Sequence, residues 1–390
     1  MSRLPISGPV PGSRETLYSY LARLAAAWRT EAPAMVYDMG TSFKKLLDQH
    51  EEALETFASW ANLSPEVMAE LLSWTGLKSG NVRTLFRGEV YVSRALRNPV
   101  MRGCPICLRQ DAAKTDRAAH ELMVLRGDWQ FRDVMICVEH QHSLVPLWQN
   151  AALRDRFDIG ARLEEISDDI LSGAFDQAAR IPSAYDYWLD QRLQDGSDTT
   201  WLADHSVFAV TTMCRYLGKA VAMHDGTEDD REHAAGFEIM KVGQKEIRKA
   251  LDQIAAMATE AQDEPRKIFG PLYTSLNRDY LNEPDFDPFR KILRECILDH
   301  WPLAGGDVVL GEALPQRRLH SLRTAALESG VGAKVLEQFL IEAGAIVEHD
   351  PAPKVVNYLM RRRMLRFLRK SLPWSAQSQC AKPWARQRWS

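Results

Sequence analysis

Two short motifs carry the residues best suited to chemistry. Cys104-Pro-Ile-Cys107 and, beyond Leu108–Ile136, Cys137-Val-Glu-His140 each place a pair of metal-binding side chains at the same x-x spacing. A Cys-x-x-Cys turn presents two thiolates to one ion, and a second pair completes the tetrahedron that zinc accepts. Three cysteines and one histidine leave no open coordination position, so a structural Zn2+ site is expected rather than a catalytic one. His142 also lies within reach of Cys137 and is an alternative fourth ligand; the repeated spacing favours His140. The competing reading of the first pair is a redox dithiol, which sits after a strand in a βαβ unit. Arg102-Gly103 and the irregular stretch around them lack that pattern.

Hydrolytic zinc chemistry fits poorly. A nucleobase deaminase needs His-x-Glu ahead of its Pro-Cys-x-x-Cys, whereas here Cys104 and Cys107 come first and His120-Glu121 lacks the spacer. The sequence contains no His-Glu-x-x-His, no Gly-rich GxxxxGK[ST] loop and no GxSxG, which removes the zincin, P-loop and nucleophile-elbow classes. No catalytic set is expected, and the chain reads as a non-enzyme. Cys214, Cys296 and Cys380 are isolated; Cys214 and Cys296 fall in apolar helical patterns, as core cysteines do.

The elements that must position these residues read as mainly helical. Leu17, Tyr20, Leu21, Leu24 and Trp28 share one helical face. The pattern repeats over 44–59 and over 65–74, the latter opening on Ser64-Pro65-Glu66, a helix-start signal. Residues 151–223 are again mostly helical, with an acidic face from Glu164 to Asp176. The polar stretch 224–232 reads as a loop or boundary. Helical patterns resume over 234–260, 287–300, 318–329 and 332–343, while 88–93 and 131–138 are the best short strands. The expected fold class is therefore mainly α, with a small Cys3His zinc-binding subdomain. At 390 residues the chain has room for roughly two to three domains. The expected division is an N-terminal helical region (1–100), the zinc subdomain (101–150), a helical region (151–232), a C-terminal helical region (233–350) and a basic tail (351–390).

Charge is uneven along the chain. The whole carries −3, yet residues 354–390 hold ten Lys or Arg and no acidic residue, so residues 1–353 sum to −13. A basic end on an acidic body points to a polyanionic partner. Over 358–370, Leu359, Met360, Met364, Leu365 and Leu368 recur at helical spacing among Arg361, Arg362, Arg363, Arg366, Arg369 and Lys370. An amphipathic helix docked on the core or lying on a membrane surface would look similar. Trp374, Trp384 and Trp389 follow in a polar, Pro-broken tail, and interleaved aromatics and cations suit a nucleic-acid backbone or a protein groove. With 45% apolar residues, the composition is that of a soluble globular protein rather than a disordered one. Met1–Pro11 lacks the apolar core of a secretion signal and no long apolar run occurs, so no membrane span and a cytoplasmic location are expected.

Residues 318–343 form the second notable motif. Two short amphipathic segments flank Glu328-Ser-Gly-Val, with Ala326 four residues before Gly330 and Val331, Leu336 and Phe339 behind it. A small residue lets two helices cross closely and glycine permits the left-handed turn, as in a helix-turn-helix; an ordinary αα-hairpin makes nearly the same pattern. In the DNA-reading version Lys334, Glu337 and Gln338 face the groove, while Arg317, Arg318 and Arg323 meet phosphates. The basic face of 241–251 (Lys241, Lys245, Arg248, Lys249) is weaker as a phosphate contact than as a solvated face.

The leader LPISGPVPGSRETLYSYLARLA resembles the start of TniQ family proteins, in which a Pro-rich leader enters a helix of the Glu-Ser-Leu-x-Ser-(Trp/Tyr)-Leu-x-Arg-Leu type. CPICLRQD, then Arg126, Trp129-Gln130 and CVEHQHSLVPLW, is similar to that family's zinc-binding segment. WLADHSVFAVTTMCRYLG, GFEIMKVG and PLYTSLN fit as well. Two departures stand out: Pro-Gly-Ser-Arg-Glu replaces the usual Pro-Gly-Glu, and Val138 stands where the second ligand pair usually has proline. Proline is not a ligand, so the metal assignment survives. The resemblance implies a non-catalytic targeting factor for transposition that marks a DNA site, as the related TnsD type does, and recruits an AAA+ ATPase and the transposase. It also implies, for some relatives, binding to an RNA-guided CRISPR complex, commonly as a homodimer. The alternative is a protein-bridging module that links such a complex to the transposition machinery without reading DNA itself.

Overall fold

The computed structural model describes residues 8–342, except 97, 114–116, 151, 226–230 and 259–262, together with Met360–Arg361. It is 58% helical, with 17 α-helices among the described residues, so the mainly α class holds. The chain divides into two compact units, Met1–Thr212 and Met213–Ser390.

The first unit is organised around the helix Leu17–Ala27. Thr16 caps it by accepting from the Ser19 amide, and Leu17, Leu21 and Leu24 along its inner face are fully buried. This helix packs against Pro65–Thr75 and Ile159–Ser172. The single helix expected over 44–59 is two, Phe43–Leu47 and Glu51–Trp60. The break falls at Gln49, which adopts a left-handed backbone (φ 57°). Its side chain explains the break, donating to the Gly76 carbonyl at 2.7 Å and accepting from the Lys78 amide at 2.9 Å.

Sheet structure is modest but placed where it matters. Leu77–Ser79, Arg83–Phe86 and Glu89–Val92 form an antiparallel meander; the last coincides with the strand expected at 88–93. Val100–Gly103 pairs antiparallel with Val145–Gln149 across an irregularity between Met101 and Arg102. That ladder joins the two ends of the Cys/His segment, with Gly103 opposite Val145. Only Ile136–Cys137 of the expected strand 131–138 is extended and paired, against His142–Ser143. An aromatic series ties these pieces together edge to face: Trp74 to Phe86 (6.0 Å), Phe86 to Tyr91 (5.8 Å) and Tyr91 to Phe131 (5.2 Å). Each such pair adds about 0.5–1.5 kcal/mol beyond area burial.

The second unit stacks Glu232–Met240, Gln244–Ala255, Pro265–Thr274 and Asp287–His300 around Phe269, Phe286, Phe289, Leu293 and Ile297. The helix expected over 234–260 is broken at Gly243 (φ 127°). Two glycines allow a backbone-to-backbone approach. A Cβ on Gly218 would fall on the Glu232 carbonyl, and one on Gly236 would fall on the Cys214 carbonyl. The helix expected over 318–329 starts later, at Leu322, because Ser321 caps it by accepting from the Thr324 amide at 3.2 Å. Leu319–His320 is instead a strand, paired with Met360–Arg361. The helical spacing of 358–370 is thus corrected at Met360 and Arg361, where pairing satisfies backbone groups that a helix would satisfy locally.

Gly236→Ala should therefore cost on the order of 2–3 kcal/mol through overpacking, lowering the thermal midpoint by roughly 4 °C or more. Gly332→Ala, where a Cβ meets nothing within 4 Å, should leave it nearly unchanged. Thermal unfolding followed by circular dichroism compares the two variants directly.

Candidate metal centre

Cys104 stands at the cap of the helix Pro105–Ala112, whose Pro105 occupies the first turn, where its missing N–H costs nothing. One turn on, Cys107 points the same way. The other two ligands come from a tight hairpin: Cys137 ends the strand Ile136–Cys137, and His140 lies in the turn closed by Gln141 with φ 51°. The four side chains converge. His140 Nδ1 lies 3.7 Å from Cys104 Sγ, 3.2 Å from Cys107 Sγ and 3.4 Å from Cys137 Sγ, and the Cys107 and Cys137 sulfurs are 3.6 Å apart. Metal bonds of about 2.3 Å to sulfur and 2.05 Å to nitrogen at tetrahedral angles put ligand atoms roughly 3.5–3.8 Å apart. The donor set and spacing therefore fit one tetrahedral cation, with Cys104 and Cys107 buried.

Charge within the cluster calls for that cation. Hydrogen bonds from the Cys107 and Cys137 thiols draw Cys104 down to about 3, helped by the Ile106 and Cys107 amides. The same hydrogen bond to Cys104 pushes Cys107 far up. A dication holds all the sulfurs as thiolates.

His142 is occupied elsewhere. It is buried, its Nδ1 donates to the Ser143 carbonyl at 2.7 Å, and its Nε2 accepts from the Gln177 amide at 2.8 Å. This settles the geometry in favour of His140. Around the cluster, Asp111 accepts from the Val124 amide (3.1 Å) and Arg126 (3.2 Å). Ser19 Oγ accepts from the Leu125 amide at 3.0 Å and donates to Glu15 at 2.9 Å. These polar links bind the leader helix to the metal segment. A sequence reading misses them because Ser19 and Leu125 are far apart in the chain.

A cleft of about 180 Å³ in this unit is lined by Tyr18, Gln49, Lys78, Arg102 and Trp129 among others, and by none of the four ligands. Its cations are already paired: Lys78 with Asp48 at 2.7 Å, and Arg102 with the Trp129 and Phe131 carbonyls.

In the second unit, Leu322–Ser329 and Ala333–Glu342 pack together across Gly330, which adopts φ 73°. Ala325, Val331 and Leu336 fill their contact. Arg323, Lys334 and Gln338 are exposed, Gln338 donating to Glu342 at 3.1 Å. Arg317 is paired with Glu328 at 2.9 Å and also donates to the Pro302 carbonyl. Arg318 is paired with Glu295 at 2.5 Å. Arg361 sits in the strand opposite Leu319; Arg362, Arg363, Arg366, Arg369 and Lys370 lie outside the described residues. No described helix is long and apolar enough to cross a membrane.

Residues 6–144 match the sequence model of the TniQ family. This span begins in the leader and ends just past the hairpin that supplies Cys137 and His140, so it contains the whole four-ligand cluster. This part of the chain is similar to the TniQ family, which is associated with transposition. No curated protein matches the chain.

His140→Ala and Cys107→Ser should each retain one metal ion fewer per chain than the wild type after desalting, whereas His142→Ala should retain as many as the wild type. The last should lose only about 1–3 kcal/mol from its two hydrogen bonds. Metal content by mass spectrometry, with thermal midpoints in parallel, separates the ligand from its neighbour.

Proposed function

We propose that this protein is a non-catalytic DNA-targeting adaptor for transposition, stapled by Zn2+ on Cys104, Cys107, Cys137 and His140. The observation that carries this reading is the TniQ match over 6–144 together with the convergence of those four residues into a closed donor set. A closed site gives shape rather than reactivity. Such an adaptor would hold a target duplex with one surface and recruit an AAA+ ATPase and transposase with others. Arg323, Lys334 and Gln338 on the 322–342 helix pair are its exposed DNA-facing candidates, supported by the basic tail. An RNA-guided CRISPR complex and a second copy of the chain are further partners of this reading.

A second reading is favoured by one observation. The carboxylates of Glu328 and Glu295 already engage Arg317 and Arg318, which removes two of the cations expected at phosphates. A bridging module that contacts only proteins would keep these pairs intact.

Salt dependence separates the two. If the helix pair holds phosphates, log affinity for a duplex falls with log salt at about −0.9 per phosphate contacted. Arg323→Glu with Lys334→Glu should then weaken binding at least tenfold and flatten that slope by roughly two. Equal affinity and slope in the double variant, with retained binding of the ATPase in a pull-down, would establish the bridging reading instead.

A further inference from the structure

We propose a second metal site, in the C-terminal unit, formed by Asp252, Cys296 and His300 and selective for a borderline divalent cation such as Zn2+ or Co2+. Asp252 lies on the helix Gln244–Ala255, and Cys296 and His300 lie one turn apart on Asp287–His300. These two helices pack directly against each other. His300 Nδ1 is 3.8 Å from Cys296 Sγ and 3.7 Å from Asp252 Oδ1. All three ligand atoms lie within 4.8 Å of one another. Around a tetrahedral cation the two separations from His300 Nδ1 would be roughly 3.4–3.6 Å, a few tenths of an ångström shorter than those found.

The surroundings favour such an ion. The Cys296 thiol is fully buried, which gives a soft ligand shielded from water, while Asp252 and His300 are part-exposed and provide the entry path. Ligating carboxylates in metal sites are themselves held by hydrogen bonds. Arg248 does this here, donating from Nε to Asp252 Oδ1 at 2.7 Å and reaching Asp299 at 2.8 Å with its other end. His300 Nδ1 donates to its own helix at the Cys296 carbonyl, 2.9 Å away. On binding, the imidazole carries its proton on Nε2, the thiol releases one proton to solvent, and the cation takes nitrogen, sulfur and a carboxylate oxygen. Water fills the fourth position, as at sites with three protein ligands. The Arg248 charge opposes the cation, so this site is weaker than the Cys3His cluster.

The test uses the full chain, saturated with Zn2+ and desalted, with metal counted by mass spectrometry. Wild type should hold two ions per chain, and Cys107→Ser, Cys296→Ser and His300→Gln should each hold one. Asp252→Asn, at a part-exposed position, gives a further variant in which folding is not at stake and should also hold one. A graded chelator titration should strip one ion from wild type well before the other, and the early step should be missing in Asp252→Asn. One ion in wild type with none in Cys107→Ser, or two ions in both Cys296→Ser and Asp252→Asn, overturns the proposal.

Discussion

Between Cys104 and Leu144 the chain builds one helix of eight residues, short 3-10 turns and a hairpin with strands of two residues. Backbone bonding of that extent cannot by itself hold four side chains at metal-ligand distances, because each short element freezes more chain entropy than it recovers. A cation held by the four side chains would cross-link these short elements and favour the order of this segment. Around it, the ladder between Val100–Gly103 and Val145–Gln149 closes the loop ends, and the aromatic series from Trp74 to Phe131 seats it on the helical core.

Polar links carry the order outward. Glu15 is almost fully buried, yet it accepts from the Gly12 amide, Ser19 and Arg23. Ser19 in turn accepts from Leu125, and Thr16 donates from its amide to the Leu125 carbonyl. A buried carboxylate is tolerable only when paired and hydrogen-bonded in this way. These bonds link leader, first helix and metal segment, all of which fall within the family match over 6–144.

Much of this was legible in the chain itself. The spacing of Leu17, Tyr20, Leu21 and Leu24 marked a helix, and Ser64-Pro65 marked the start of another, because local periodicity and capping are written in neighbouring residues. The four metal ligands were legible for the same reason: two pairs at matching spacing. Long-range determinants were not. Nothing near Gln49 announces that its side chain will serve Gly76 and Lys78 and break a helix. Nothing near Leu319 announces its pairing with Arg361. Cys296 followed by His300 at helical spacing was a visible signal, but its third member, Asp252, arrives only through the packing of two helices. Cys296 itself is fully buried, as its apolar helical pattern indicates.

The two clusters differ in a way that bears on role. In the Cys3His cluster the four residues sit on short elements, so an ion there would order the same segment that supplies its ligands. Asp252, Cys296 and His300 sit on helices of twelve and fourteen residues that pack through Leu251, Ile254, Leu293 and Ile297 whether or not an ion is present. An ion there would add to a fold that already stands, and its affinity would be set against the Arg248 charge rather than against unfolding. Ordering by a metal would belong to the TniQ-like segment; occupancy without a change of fold would be the character of the second cluster.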